Sequence, residues 1–500
     1  MTGQPSTRLS AAILVTRGEG SSFEVYLVRR APELRFFGGF LALPGGVVDP
    51  DDAAGDEVGP DLERGALVCA ERELFEETGI ALSAPVGELG VGARRELRAA
   101  LTVRDREQRT EARDRWRRMA RGNASLTRLY CITTPPFSPL RYQTVTYHLR
   151  LPGGESPSIV PGELVEGEFH AVDEILKKWE RGEVWIAPPV VFLLERLRGE
   201  SLVPGLEQAT RAARDFERGK LHPVRFTPGA ILLPLLSPTH PPATTTNCLV
   251  LGTERIQVID PAAVEEAERE RLVVALEERL REGGRLDNIL ITHHHPDHIG
   301  AVGFLAGRYD VPVAGHPHAL ERLPRAPGKT RALSDGDVIP LGDAPDGSGP
   351  WELQVLHTPG HVEGHLAFRD SRYGTLVAGD LLSTVSTVVI DPGEGHLATY
   401  LLSLERLLGE DISLVYPGHG LAHKDGPGLV RYFLAHRKKR EDKLLSALLL
   451  GGTIEELLAT VYDDADPRVH DLARRSLLSG LEKLAEEGRA QKAGTRWEAC

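Results

Sequence analysis

Thr292-His293-His294-His295-Pro296-Asp297-His298 is the stretch on which the reading of this 500-residue chain turns. It follows the apolar pair Leu290-Ile291, so it sits where a buried strand runs out into a loop. Strand ends feeding polar loops are where α/β proteins place their sites. One histidine is most often structural, but His293, His295, Asp297 and His298 form an HxHxDH pattern that packing alone does not explain. Neutral imidazole nitrogen and carboxylate oxygen suit zinc. Three more such residues follow: His361 in His357-Thr358-Pro359-Gly360-His361, Asp380 after the apolar stretch 375–379, and His419 in Pro417-Gly418-His419-Gly420.

This order and content resemble the metallo-β-lactamase superfamily. The resemblance implies an αββα sandwich with two zinc ions. His293, His295 and His361 would hold one, Asp297, His298 and His419 the other, and Asp380 would bridge them. It also implies a nucleophilic water between the ions, oriented in part by Asp297. Asp260 would brace the histidine loop. Asp380, with no Cys in that place, points away from true β-lactamases and toward the glyoxalase II-like and ribonuclease-like branches.

Downstream, Ala435-His436-Arg437-Lys438-Lys439-Arg440-Glu441 leads to Thr453 and Glu456, which have capping-box spacing. Asp466-Pro467 reads as an N-cap and first helical residue. Leu472, Leu477, Leu481 and Leu484 keep helical spacing, and 489–497 reads as a two-stranded wing. This tail resembles the β-lactamase-like protein 2 family. That resemblance implies a C-terminal winged-helix-like domain and hydrolysis of a phosphodiester in single-stranded RNA. Arg437, Lys438, Lys439 and Arg440 read equally as phosphate contacts or as a solvated basic helix face. The same core occurs in thioesterases, so a thioesterase of the acyl-CoA or glyoxalase II type is the alternative.

A second chemical string lies far upstream: Arg72-Glu73-Leu74-Phe75-Glu76-Glu77-Thr78-Gly79-Ile80. On a helix, Glu73, Glu76 and Glu77 share one face. They repel one another unless a cation intervenes, and oxygen-only ligands suit Mg²⁺ or Mn²⁺. Gly79 would end the helix. Acidic surface helices are common, so three Glu alone decide nothing. The whole string, with Leu43-Pro44-Gly45-Gly46 before it, resembles the Nudix box. It implies an α/β/α sandwich and cleavage of a nucleoside-diphosphate derivative, with Arg72, Glu73, Glu76 and Glu77 catalytic and Gly45 and Gly46 near substrate. The acid of the pattern is Asp52 here, and residues 53–71 stand where the family has a shorter spacer.

Tyr26-Leu27-Val28-Arg29-Arg30-Ala31, with Arg35, Gly39 and Leu43-Pro44-Gly45-Gly46, is similar to the coenzyme A diphosphatase pattern. Val28 and Leu43 replace its Thr and Phe. The similarity implies Arg30 and Arg35 as partners of the coenzyme A phosphates. Ordinary surface arginines fit the same places. Glu163 and Glu166, before Phe169-His170-Ala171, are candidates for the general base, and a structural role fits them equally well.

The expected organisation is α/β and α+β multidomain. A Nudix domain covers 8–200, a linker 201–223, a metallo-β-lactamase domain 224–425, and a helical winged-helix-like domain 426–500. The Arg- and Glu-dense stretch 94–121 reads as a solvated inserted helix, because its charges alternate in sign. A net charge of −13 excludes a chain coated in basic surface but leaves room for a local groove. Cys69, Cys131, Cys248 and Cys500 have no CxxC spacing, so neither a disulfide framework nor a thiolate site is expected. A reducing, cytoplasmic setting follows as an expectation. Residues 1–10 lack an apolar leader segment. The apolar run 230–236 is far shorter than the ~20 residues of a spanning helix, so no membrane partner is expected.

The expected function is therefore a bifunctional metal-dependent hydrolase. Its partners would be a small nucleotide or coenzyme A-type substrate and single-stranded RNA, with a homodimer left open. A Nudix half that only senses a ligand is the other class, and the presence of Arg72, Glu73, Glu76 and Glu77 argues against it.

Overall fold

The computed structural model describes residues 7–34, 37–50, 52, 62–103, 105–119, 125–135, 140–151, 153, 155–217, 223–324 and 328–500. The chain divides into two units, Met1–Pro228 and Gly229–Cys500.

The first unit is built on a seven-stranded sheet. Its centre is the strand Arg8–Arg17, paired in parallel with Tyr142–Arg150 and antiparallel with Glu24–Arg30. Alternate residues of a strand face opposite ways. Accordingly Ile13 and Val15 pack with Ala66, Cys69, Ala70 and Leu74 of the helix Leu62–Thr78. Leu14 faces the other side, with the helices Val172–Glu180, Pro188–Leu197 and Leu202–Glu217. The result is helix, sheet, helix.

Two expectations change here. The stretch 201–223 holds the helix Leu202–Glu217, whose Leu202, Ala209 and Ala213 are buried in the first unit's core. This polar helix gains that face from Leu202, Ala209 and Ala213, seven and four apart among charged neighbours. The insertion is also more than a solvated helix. It forms two helices, Val91–Thr102 and Arg106–Met119. Leu97, Leu101, Ala112 and Trp116 bury together against Phe75, whose ring stacks on Trp116 at 4.9 Å between centroids.

The second unit has two six-stranded sheets, each covered by its own helices. In one, Ile231, Leu233 and Leu235 meet Leu272 and Leu276 of the helix Glu266–Arg281. In the other, Leu376 and Ala378 meet Tyr400 and Leu404 of the helix Leu397–Leu407. The helix Gly426–Leu448 starts at the boundary expected at 426 but is shared between the two cores. Its Leu429, Val430 and Phe433 belong to the sandwich core, and its Leu444 and Leu448 to the C-terminal core.

That C-terminal core holds the helices Ile454–Val461 and His470–Glu486 and the hairpin Ala490–Ala493 with Arg496–Ala499. The capping box of Thr453 and Glu456 is formed. Asp466 caps a short 3₁₀ turn, Pro467–Val469, ahead of the long helix. Among the described residues no helix is long and apolar enough to cross a membrane. Cys69, Cys131 and Cys248 are free and buried, and Cys500 is free and exposed.

Candidate metal centre and carboxylate helix

In the second unit, strand ends deliver the histidines. His293 follows the strand Arg285–Leu290, Asp297 and His298 lie on the short helix Pro296–Ile299, Asp380 lies in the strand Thr375–Ser383, and His419 ends Leu414–His419. His295 Nδ1 lies 3.0 Å from Nε2 of His293 and 3.0 Å from Nε2 of His361. These three side chains form one group able to hold an ion. Asp297, His298 and His419 form another, His293, His298 and Asp380 a third, and His294, His295 and Glu394 a fourth. Asp380 lies between the sets, its Oδ1 3.2 Å from His419 Nε2 and its Oδ2 3.7 Å from His361 Nε2.

In all five imidazoles the ring nitrogen turned away from the cluster is already engaged. His293 Nδ1 meets the Thr292 hydroxyl at 3.0 Å, and His295 Nε2 meets Glu394 at 3.1 Å. His298 Nδ1 meets Asp260 at 2.8 Å. His361 and His419 meet the carbonyls of Val389 and Thr245, each at 2.9 Å. On a neutral imidazole such a contact fixes the tautomer and leaves the other nitrogen's lone pair facing the centre. Asp260 also accepts from the Thr292 N–H at 2.8 Å and hydroxyl at 2.7 Å, so one carboxylate holds both ends of the histidine loop. It adopts a positive φ of 50°. A non-glycine residue in that region occurs where surrounding structure over-determines it.

Burial holds His293 well below the ordinary imidazole range and His361 down to about 4, so both are neutral. Burial also opposes charge on His298 and His419, but the Asp380 carboxylate outweighs it and raises both. Burial opposes charge on Asp380, yet His419 and His298 hold it well below the usual carboxylate range. His298 Nε2 and Asp380 Oδ1, 3.4 Å apart, are buried without a hydrogen-bond partner. A divalent ion fits this donor set: it satisfies the orphaned atoms, and nitrogen with carboxylate oxygen suits a borderline metal.

Family models match three parts of the chain: the NUDIX domain over 6–187, the metallo-beta-lactamase superfamily over 241–419, and the beta-lactamase associated winged helix domain over 453–497. The chain joins a NUDIX domain to a metallo-beta-lactamase superfamily domain. It is a hydrolase.

Among its relatives is the beta-lactamase-like protein 2 homolog of Drosophila melanogaster, 27% identical over 42% of this chain and 72% of that one. Another is the atrochrysone carboxyl ACP thioesterase AgnL7 of Paecilomyces divaricatus, 28% identical over 51% of this chain and 80% of that one. This chain spans only 65% and 64% of the length of two further relatives, a lactamase-like protein of an Aspergillus species and an atrochrysone carboxyl ACP thioesterase of a Cryptosporiopsis species. A metallo-beta-lactamase family protein of Thermus thermophilus is 28% identical over 55% of this chain and 99% of its own, with a TM-score of 0.46. A NUDIX hydrolase of Alicyclobacillus acidocaldarius is 27% identical over 39% of this chain and 92% of its own, with a TM-score of 0.33.

In the NUDIX domain the box helix is organised by Arg72, which is 1% exposed. Its guanidinium donates to Asp52 at 2.9 and 2.7 Å, to Glu73 at 2.8 Å and to Glu76 at 3.1 Å. Asp52 is thus the partner of Arg72. The Gly45 N–H donates to Glu77 at 2.8 Å, and a Cβ on Gly46 would overlap the Glu73 carboxylate. The expected substrate glycines therefore seat the carboxylates.

Burial is the largest influence on all three acids, raising Glu73 and Glu77 and pushing Glu76 up to about 7. In donor type and charge the three carboxylates suit a divalent cation, which would offset the repulsion that burial makes costly. The box acids do not converge on one point, and the groups of three able to hold an ion all lie in the second unit among the described residues.

Arg30 and Glu163 both act electrostatically on Glu77, so both lie at this helix. Glu166 instead pairs with Arg29. Arg35 lies outside the described residues.

Two contacts were missed from sequence. Arg98 of the insertion donates to the carbonyls of Glu76 at 2.9 Å and Glu77 at 2.6 Å, and Arg113 pairs with Asp49 beside the glycine turn. Their only sequence signal was basic residues beside buried apolar pairs.

The basic run of the C-terminal region is also corrected. Arg437 is buried, donates to the Val388 carbonyl and lies over the Tyr400 ring. Arg440 donates to the Val461 carbonyl at 2.7 Å and pairs with Asp464 at 2.6 Å. Lys438 pairs with Asp442. Arg437 and Arg440, read as phosphate contacts or as a solvated face, thus join parts of the unit together.

Proposed function

We propose that this chain is a bifunctional metal-dependent hydrolase of coenzyme A-type thioesters. Its metallo-beta-lactamase half would open the thioester, and its NUDIX half would cleave the diphosphate. The observation that carries the first half is the inward convergence of five imidazoles whose other nitrogens are engaged. His293, His295 and His361 would hold one zinc, and Asp297, His298 and His419 a second, with Asp380 shared. Such ions would supply Lewis-acid polarisation of the carbonyl and a water acidic enough to attack at neutral pH. Asp297, whose Oδ2 lies 3.6 Å from His419 Nε2, would orient that water and accept its proton. In the NUDIX half, Glu73, Glu76 and Glu77 would hold Mg²⁺ or Mn²⁺. Arg30 would bind substrate phosphate, and Glu163 would serve as base.

A thioester is favoured over RNA by two points. Arg437 and Arg440 are committed within the protein, and several relatives carry the name of acyl-carrier thioesterases. Carrier proteins and coenzyme A present their acyl groups on the same phosphopantetheine thiol, which links the two halves chemically. The RNA reading retains the winged-helix match as its support.

The test incubates the full chain, loaded with Zn²⁺ and then Mg²⁺, with acyl-CoA, coenzyme A and single-stranded RNA. Free thiol, followed by phosphopantetheine and adenosine 3′,5′-bisphosphate in the mass spectrum, is the expected outcome. RNA cleavage with the thioester intact would overturn the proposal.

A further inference from the structure

We propose that residues 388–396 form a strap through which the C-terminal helices position His295 and His361. Glu394 and the Val389 carbonyl are the atoms that set the two imidazoles. This rests on the reading of His293, His295 and His361 as ligands of one metal.

The argument starts at His295. Its Nδ1 faces the other two histidines, so Nδ1 can offer a lone pair only if the proton resides on Nε2. Nε2 lies 3.1 Å from Glu394 Oε2. A carboxylate can only accept, and so holds that tautomer and ring angle. His361 is set in the same way by a different atom of the strap, its Nδ1–H donating to the Val389 carbonyl at 2.9 Å. Two of the three converging imidazoles thus take their orientation from one short segment.

Glu394 is half exposed, so its own hydrogen bond cannot fix the segment. The C-terminal helices do that. Arg437 donates to the Val388 carbonyl, and the Ser479 hydroxyl donates to the Ile390 carbonyl at 2.6 Å. Arg475 pairs with Asp391 at 2.9 Å, and His396 Nε2 meets Glu486 at 2.8 Å. From the other side the His396 N–H donates to the Gly360 carbonyl at 2.7 Å, one residue before His361. Gly395 lets this approach happen, since a Cβ there would press on the carbonyls of Gly360 and His361. The strap is therefore tied on one side to helices that hold no candidate ligand, and on the other to the ligands themselves. Glu394 is a positioning residue, and so are Ser479 and Arg475 one step further out.

The experiment is a zinc competition against a chromophoric chelator, using the full chain stripped and reloaded with metal. It is accompanied by the visible spectrum of the cobalt-loaded protein. Removing a carboxylate that orients a metal-bound histidine typically weakens metal binding about 10-fold or more, and Glu394→Ala is expected to do so with a shifted cobalt spectrum. Glu394→Gln keeps an oxygen that accepts the same N–H and should restore affinity to within about threefold. The double variant Ser479→Ala, Arg475→Ala should weaken binding by roughly threefold to 10-fold at unchanged circular dichroism.

Unchanged affinity in Glu394→Ala overturns the inference while the metal reading stands. A whole metal equivalent lost in both Glu394 variants also overturns it, because Glu394 would then be a ligand. If His293→Ala binds zinc as well as the parent chain, the metal reading itself fails, and the inference with it.

Discussion

At the scale of the residue, the turn before the box helix leaves no room for a side chain at Gly46, because the Glu73 carboxylate fills that space. The role of Gly46 needed coordinates, because it depends on where the Glu73 carboxylate comes to rest. Gly46→Ala must push that carboxylate aside. Displacement of about 1 Å at a catalytic group can cost on the order of 100-fold, so on the proposed function diphosphatase turnover should fall by at least 10-fold while turnover in the second unit is retained. Parallel assays of the two activities check this.

Arg437 was misread because its burial is decided by a carbonyl at Val388, far away in sequence. His148 makes the same point with a titratable group. Burial holds it down to about 4, with the Thr16 hydroxyl 2.8 Å from its Nε2. The ordinary imidazole value is 6.5, so between these limits the unfolded chain binds the extra proton. The contribution is therefore full above 6.5 and is lost as pH falls toward 4. Urea titrations across that window should show the first unit weakening, with a flatter slope in His148→Gln.

At the scale of the element, the insertion is the instructive case. Its mixed charges predicted a helix in water, yet Leu97 with Leu101 and Ala112 with Trp116 carry the i, i+4 spacing of a buried face. Charge density drew attention from four apolar residues. Their consequence is that the box helix is packed from two sides, by the sheet through Leu74 and by the insertion through Phe75. Trp116→Ala leaves a ring-sized void against Phe75. Large aromatic truncations in cores cost about 3–5 kcal/mol, and a loss of that size in the first unit's denaturation is expected. On the proposed function diphosphatase activity should fall with it, because a loosened insertion takes Arg98 from the carbonyls of Glu76 and Glu77 and Arg113 from Asp49 beside the glycine turn.

At the scale of the whole molecule, the number and order of folds were legible from two motifs, but the join was not. Sequence composition suggested a polar connector where the helix Leu202–Glu217 completes the first unit's core. Each unit has its own core and its own chemistry, so metal should stabilise them separately. An ion present at about 100 times its dissociation constant adds about 2.7 kcal/mol to the fold that binds it. Scanning calorimetry with a zinc chelator should lower one transition and leave the other in place.

The four cysteines allow the same separation without heat. Cys500 is open to a thiol reagent at once, whereas Cys69 and Cys131 in one unit and Cys248 in the other are sealed until their surroundings breathe. Their labelling rates are two native clocks in a single chain, and added zinc should slow the one at Cys248 while the one at Cys69 keeps time.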